Sequence, residues 1–188
     1  IAIASTRPET KFGDTAVAVN SKDKRYKKYI GQTFTADVGA AKPLAIKIIA
    51  DEAVDENFGT GAVGVTPAHS MVDFEMYAKQ KAKGEPIGLI QIIGQDGKMT
   101  AAAPYAGLTV EEARTKFVAW LKANDLLIKE EDIVQNAGAS DRFGDIVEAL
   151  LMTQWFVDVN KKIPDRDASL KEMIKRAIVK GYKNDPKQ

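Results

Sequence analysis

Three short segments hold most of the residue types in this chain that could do chemistry. The first is Ser5-Thr6-Arg7-Pro8-Glu9-Thr10. Pro8 restricts Arg7 to extended backbone and fixes a turn, so a rigid loop carries hydroxyls, a guanidinium and a carboxylate. A guanidinium is suited to gripping a phosphate or carboxylate with two parallel hydrogen bonds. The same loop also reads as a polar turn closed by its own Arg7–Glu9 pair. The second segment runs from Gly59 to Glu75, GTGAVGVTPAHSMVDFE. Its glycines permit close backbone approach to another strand or a ligand. The run turns at Thr66-Pro67 and delivers His69, Ser70, Asp73 and Glu75 at the start of a helix, where acids also serve simply to complement the helix dipole. The spacing is neither a phosphate-binding P-loop nor GxGxxG. A Ser70–His69–Asp73 relay would need geometry that neighbours at one turn rarely have. The third segment is Gln154-Trp155-Phe156-Val157, which sequence physics reads as core packing.

Composition limits what these groups can do. The 188 residues include no cysteine and a single histidine. Thiol nucleophiles, cysteine zinc sites, disulfides and multi-histidine metal sites are therefore excluded. Catalysis must use carboxylates, hydroxyls, lysines, arginines, backbone groups or the substrate itself. The formal net charge is +1. Residues 161–188 nevertheless carry nine lysines and arginines against four acids. A second basic cluster, residues 22–28 with Tyr26 inside and Tyr29 beside it, could touch RNA or simply be a solvated loop. No apolar run approaches the ~18 residues of a membrane span. The opening Ile1-Ala2-Ile3-Ala4, without an initiator methionine, suggests a piece of a longer protein.

The elements that must position the three segments follow from periodicity. Strands are expected at 1–5, 15–19, 44–50, 62–66 and 87–93, with a turn at Asp96-Gly97. Helices are expected at 72–83, 110–121 and 170–180. The second and third would be opened by Thr109/Glu112 and Ser169/Glu172 capping boxes. Irregular mixing of strands and helices indicates an α+β fold. The expected division is a body of residues 1–160 and a basic helical segment of residues 161–188.

Taken together and in this order, the three segments resemble the editing domain inserted into class I aminoacyl-tRNA synthetases, in the valyl branch. The Arg7-Pro8-Glu9-Thr10 form of the first motif, Thr66-Pro67-Ala68-His69 and Gln154-Trp155-Phe156-Val157 carry the likeness. The resemblance implies a β-barrel-like core of mixed strands with peripheral helices. It implies a hydrolase that cleaves threonine wrongly esterified to the 3′ end of tRNA(Val). The need is physical, since a pocket sized for valine rejects its near-isostere threonine poorly. The implied partners are that tRNA end and the rest of the parent synthetase. A monomer, a cytoplasmic setting and no membrane are implied as well. No cofactor or metal is implied in this domain; ATP and Mg2+ would serve only the catalytic core outside it.

By position, the resemblance makes Asp73 the anchor of the aminoacyl ammonium and Thr66 a pocket threonine. Arg7 would lie near the ester and terminal ribose. Thr6, Phe58, Asp55, Ser70, Glu75 and His69 are the further substrate-binding candidates. Asp73, Thr66 and Arg7 are the catalytic candidates. His69 reads more readily as a structural residue of the turn than as a base. Two positions depart from the family pattern. Gly64 stands where a lysine is usual, and Ser70 where an acid is usual. Two alternatives stand beside the hydrolase: a non-catalytic module binding the tRNA 3′ end, and an editing domain of the isoleucyl or leucyl branch.

Overall fold

Short runs of Val, Ile and Ala build the centre of the fold in the computed structural model, which describes residues 1–40, 42–101, 103–134 and 136–180. Ala16–Val19 (β1), Thr33–Ala36 (β2), Leu44–Ala50 (β3) and Ala62–Val65 (β4) form one sheet in the order β2-β3-β1-β4. β1 runs parallel to β3; the other pairs are antiparallel. Both faces of β1 are covered. Ala16 and Ala18 pack with Ile49, Val65 and Met76, whereas Val17 and Val19 pack with Ile46, Ile48 and Ala62. A strand buried on both faces reads as a continuous apolar run, and that is why β1 was legible.

Met71–Ala82 (α1) follows the Thr66-Pro67 turn, and the Ser70 hydroxyl accepts the Asp73 N–H at its N-terminus. Val110–Ala123 (α2) opens with the expected capping box, Thr109 and Glu112 each satisfying the other's backbone N–H. Its buried Ala113 and Phe117 close a second core with Phe12, Ile92 and Ile93. The Phe12 and Phe117 rings lie 4.5 Å apart. Phe12 belongs to a 3-10 turn, Pro8–Gly13, so α2 packs directly on the loop that carries Arg7 and Glu9.

The chain divides into two compact units, Ile1–Leu151 and Met152–Gln188. In the second, Lys162–Ile163 (β5) pairs antiparallel with Ala168–Ser169 (β6), and Leu170–Lys180 (α3) follows. Ser169 and Glu172 exchange the reciprocal bonds of a capping box. Ile174, Ile178 and Val179 of α3 are exposed. Residues 181–188, the end of the basic segment, lie outside the described residues.

Several expectations require correction. The α+β class holds, but the four-stranded sheet is open and does not close into a barrel. Residues 1–5 make a single bridge, Ala4 to Val63, and not a strand; Gly59 at positive φ admits the Ala4 methyl there. Residues 87–93 make a single bridge, Ile93 to Met99, and not a strand; the N–H groups of Ile92 and Ile93 are taken by His69. The Asp96-Gly97 turn is present, with Gly97 N–H donating to Gly94. β2 was not anticipated: TFTA is too short and polar to announce itself. Trp155 and Phe156 are fully exposed, which overturns the packing expectation. Among the described residues of this unit, a two-stranded ribbon and one helix offer no second layer to bury them.

The basic cluster at 22–28 is held to the sheet by its aromatics. Tyr26 donates to the Thr60 carbonyl at 2.7 Å, and both Tyr26 and Tyr29 pack against the β1–β3 core. Arg25 is paired with Asp23.

Candidate functional site

Where β4 gives way to α1, the chain folds against the 3-10 turn and encloses a cleft of about 230 Å³. The cleft brings together most of the residues singled out from sequence. Thr6 and Arg7 come from the first segment, Phe58 from the edge of the glycine-rich run, and Thr66, His69, Ser70 and Asp73 from the turn into α1. Two candidates are not brought in. Asp55 is exposed and its carboxylate closes its own turn by accepting the Asn57 N–H. Glu75 is exposed on α1 and does not line the cleft.

Asp73 does not cap the helix; Ser70 does. The Asp73 carboxylate instead turns back and accepts the Thr66 N–H at 2.8 Å. Together with the His69 N–H donated to the Thr66 carbonyl, this bond closes the turn, and it orients the carboxyl. Burial pushes the Asp73 carboxyl above its usual range, against the pull of the Thr66 N–H, the Lys11 ammonium and the Ser70 hydroxyl. A carboxylate desolvated in this way gains more from an incoming cation than an exposed one does.

At and beneath the floor of the cleft lie two groups that sequence reasoning missed, Lys11 lining it and Asp14 behind Lys11. Lys11 and Asp14 are both buried. The Lys11 ammonium donates to Asp14 at 2.9 Å, and the Thr66 hydroxyl donates to the same Asp14 oxygen. Burial raises the Asp14 carboxyl while Lys11 and Thr66 oppose that rise. Gly64 lies over this pair: a Cβ there would collide with the Asp14 carboxylate and come within 2.6 Å of Lys11 Nζ. Lys11 and Asp14 flank Phe12-Gly13 in the sequence, and nothing local marks the pair as buried.

Arg7 is held by two carboxylates. Its guanidinium grips Glu148 through one nitrogen at 2.7 and 2.8 Å and donates to Glu9 at 3.1 Å. Glu9 is fully buried and also receives a two-pronged grip from Arg114 of α2, at 2.8 and 2.9 Å. Burial alone would raise the Glu9 carboxyl, but the Arg114 and Arg7 guanidiniums hold it below the usual range. The loop is therefore the closed polar turn foreseen as one reading of the sequence, extended by Arg114 and Glu148. Residues 105 and 141 positions away left no local signal.

His69 is occupied on both ring nitrogens. Nε2 accepts the N–H groups of Ile92 and Ile93 at 2.9 and 3.2 Å, and Nδ1 faces the Ala149 carbonyl at 3.2 Å. This pattern is that of a neutral imidazole protonated on Nδ1. No relay to Ser70 or Asp73 exists, and the residue holds three backbone segments together. Burial lowers its pKa. The unfolded chain then binds the proton near pH ~6.5 and the folded chain only lower. Stability is thus full above that value and falls as pH drops through the folded pKa, by up to about 1.4 kcal/mol per pH unit in the window. Urea unfolding between pH 7.5 and 5 should show this loss, and His69→Gln should flatten it.

A larger cleft of about 450 Å³ lies against β2 and β3. It shares Lys11 with the first, but Val17, Phe34, Leu44, Ile46 and Ile48 give it mostly hydrocarbon walls. The smaller cleft has the chemistry. Among the described residues, no three His, Cys, Asp or Glu side chains are grouped to hold a metal. Also among them, no helix is long and apolar enough to cross a membrane.

Known proteins resemble this chain in sequence over most of its length. It is 42% identical over 163 residues to a valine--tRNA ligase of Pelagibacter ubique (strain HTCC1062), covering 86% of this chain and 18% of that protein. It is 44% identical over 158 residues to the valine--tRNA ligase of Staphylococcus aureus (strain bovine RF122 / ET3-1), covering 84% and 17%. It is 42% identical over 175 residues to that of Borreliella burgdorferi (strain ATCC 35210 / DSM 4680 / CIP 102532 / B31), covering 92% and 19%. The chain thus spans less than a fifth of these relatives. Among solved structures, a crystal structure of GlLeuRS-CP1 aligns with a TM-score of 0.47 at 14% identity, over 71% of this chain and 83% of that one. No family model matches the chain.

Proposed function

The chain belongs to the valine--tRNA ligase family, of which it spans less than a fifth, and from that premise we propose that it is the segment that removes threonine wrongly attached to tRNA(Val). The observation that carries the reading is the oriented, desolvated carboxylate of Asp73 at the wall of a small polar cleft. The volume is below the ~300 Å³ at which pockets for drug-sized ligands begin, and it suits one aminoacyl group.

In this reading Asp73 pairs with the α-ammonium of the threonyl ester and so fixes the carbonyl in place. Phe58, nearly half exposed at the mouth, offers a flat face to the terminal base. Water adds to the ester carbonyl carbon. The bond from that carbon to the ribose oxygen then breaks, and the proton lost by the water ends on the ribose oxygen. Threonine and tRNA(Val) are released. His69 is already committed on both nitrogens, so the adjacent ribose hydroxyl assists the water and the protein contributes orientation. Arg7, tied to Glu9 and Glu148, shapes the loop beside the ester and does not stand as a free cation. The partners are the 3′ end of tRNA(Val) and the rest of the ligase.

The test is to incubate the chain with Thr-tRNA(Val) and Val-tRNA(Val), with the full ligase as control. Faster loss of threonine than of valine supports the reading. Loss of both esters at the rate of buffer alone, while the full ligase clears threonine, removes it and leaves a module that only binds the tRNA end.

A further inference from the structure

A buried ammonium needs more partners than Lys11 has. Its residue is 8% exposed, yet among the described residues its one close partner is Asp14 at 2.9 Å. Thr66 Oγ1 stands at 3.5 Å, the outer limit of a hydrogen bond, and directs its own proton to Asp14. An ammonium has three N–H donors and no acceptor, so donor capacity remains. The ammonium lies under Gly64, a residue of the cleft wall whose lack of a side chain leaves it room. Lys11 itself lines the cleft, on the same floor as Thr66 and within electrostatic reach of Asp73.

We propose that Lys11 is the specificity-determining residue of this cleft, donating a hydrogen bond to the hydroxyl of a threonyl side chain whose α-ammonium is held by Asp73. This inference rests on the deacylase reading above and deepens it. Threonine and valine differ by a hydroxyl in place of a methyl. A hydroxyl oxygen accepts from the ammonium and completes its coordination, whereas a methyl leaves a buried charge facing hydrocarbon. Gly64 is explained by the same arrangement: the cation reaches the cleft floor from the 3-10 turn, and a side chain on β4 would occupy its place.

The absence of cysteine in the chain permits a clean test. Lys11→Cys is alkylated in denaturant and refolded, once with 2-bromoethylamine, which restores an ammonium of lysine length, and once with 1-bromopropane, its neutral counterpart. Binding of non-hydrolysable 3′-amide analogues of threonyl- and valyl-adenosine is measured by calorimetry. The unaltered chain and the aminoethyl form should prefer the threonyl analogue by about ten- to a hundredfold, the range for a hydrogen bond to a charged group. The propyl form should lose that preference. Lys11→Met combined with Asp14→Asn removes both charges and should lose it as well, serving if the propyl form does not refold. A neutral variant that keeps the preference, or an aminoethyl form no better than the propyl, overturns the inference. Because the readout is binding, an absence of hydrolysis would count against the deacylase and not against Lys11.

Discussion

Asp73→Asn should lower the release of threonine from Thr-tRNA(Val) by about a hundredfold or more, the usual scale for deleting one member of a desolvated charge pair. Asparagine keeps an oxygen for the Thr66 N–H, so the turn is retained and the loss reports on charge. Single-turnover deacylation checks this, with Glu75→Gln as the comparison; that residue is exposed and outside the cleft, and its change should leave the rate intact. The same assay carries a pH signature. Burial raises the Asp73 carboxyl, and only the ionised form attracts an ammonium. The acid limb of kcat/KM should therefore have its midpoint above the ordinary aspartate value of ~3.9 and should vanish in the asparagine variant.

Glu9→Gln should cost about 3 kcal/mol of stability, the lower end of the range for breaking a buried ion pair. Glu9 is wholly buried between two guanidiniums, but those of Arg7 and Arg114 are 29% and 44% exposed and recover part of their hydration when it is neutralised. Denaturant unfolding measures the loss. A cycle with Arg114→Met separates the pair from the packing of α2 on the turn. The pH dependence has a fixed sign. The Glu9 carboxyl is held below its usual value in the fold, so its contribution is present above about pH 4.3 and disappears as pH falls through the folded pKa. The variant also removes one of the two carboxylates that hold Arg7, leaving only Glu148, so deacylation should weaken at temperatures where the fold persists.

How much of this was legible depends on the range over which each residue finds its partners. β3, α2 and α3 were readable because their periodicity and caps are written within a few residues: Thr109 finds Glu112, and Ser169 finds Glu172. The cleft was readable where two of the three motifs converge, at Arg7, Thr66 and Asp73, with Phe58 just before the second. Partners supplied by distant parts of the chain were not. Arg114 and Glu148 meet the first loop only once α2 and residues 148–149 are in place. Lys11 went unremarked because nothing local announces that Phe12 is core and that the turn around it is therefore buried. Residues 87–93 misled for the opposite reason. Their apolar run is buried at Ile87, Ile92 and Ile93, yet a side chain, not a neighbouring strand, takes the N–H groups of Ile92 and Ile93.

That substitution gives the imidazole a spectroscopic use. The amides of Ile92 and Ile93 share the one acceptor, His69 Nε2, in place of rungs in a ladder. Protonation of that nitrogen removes the acceptor for both at once. Hydrogen exchange at these two amides is therefore coupled to the titration of one side chain beside the cleft, and two backbone positions serve as an internal gauge of when the clamp between residues 69, 92–93 and 149 lets go.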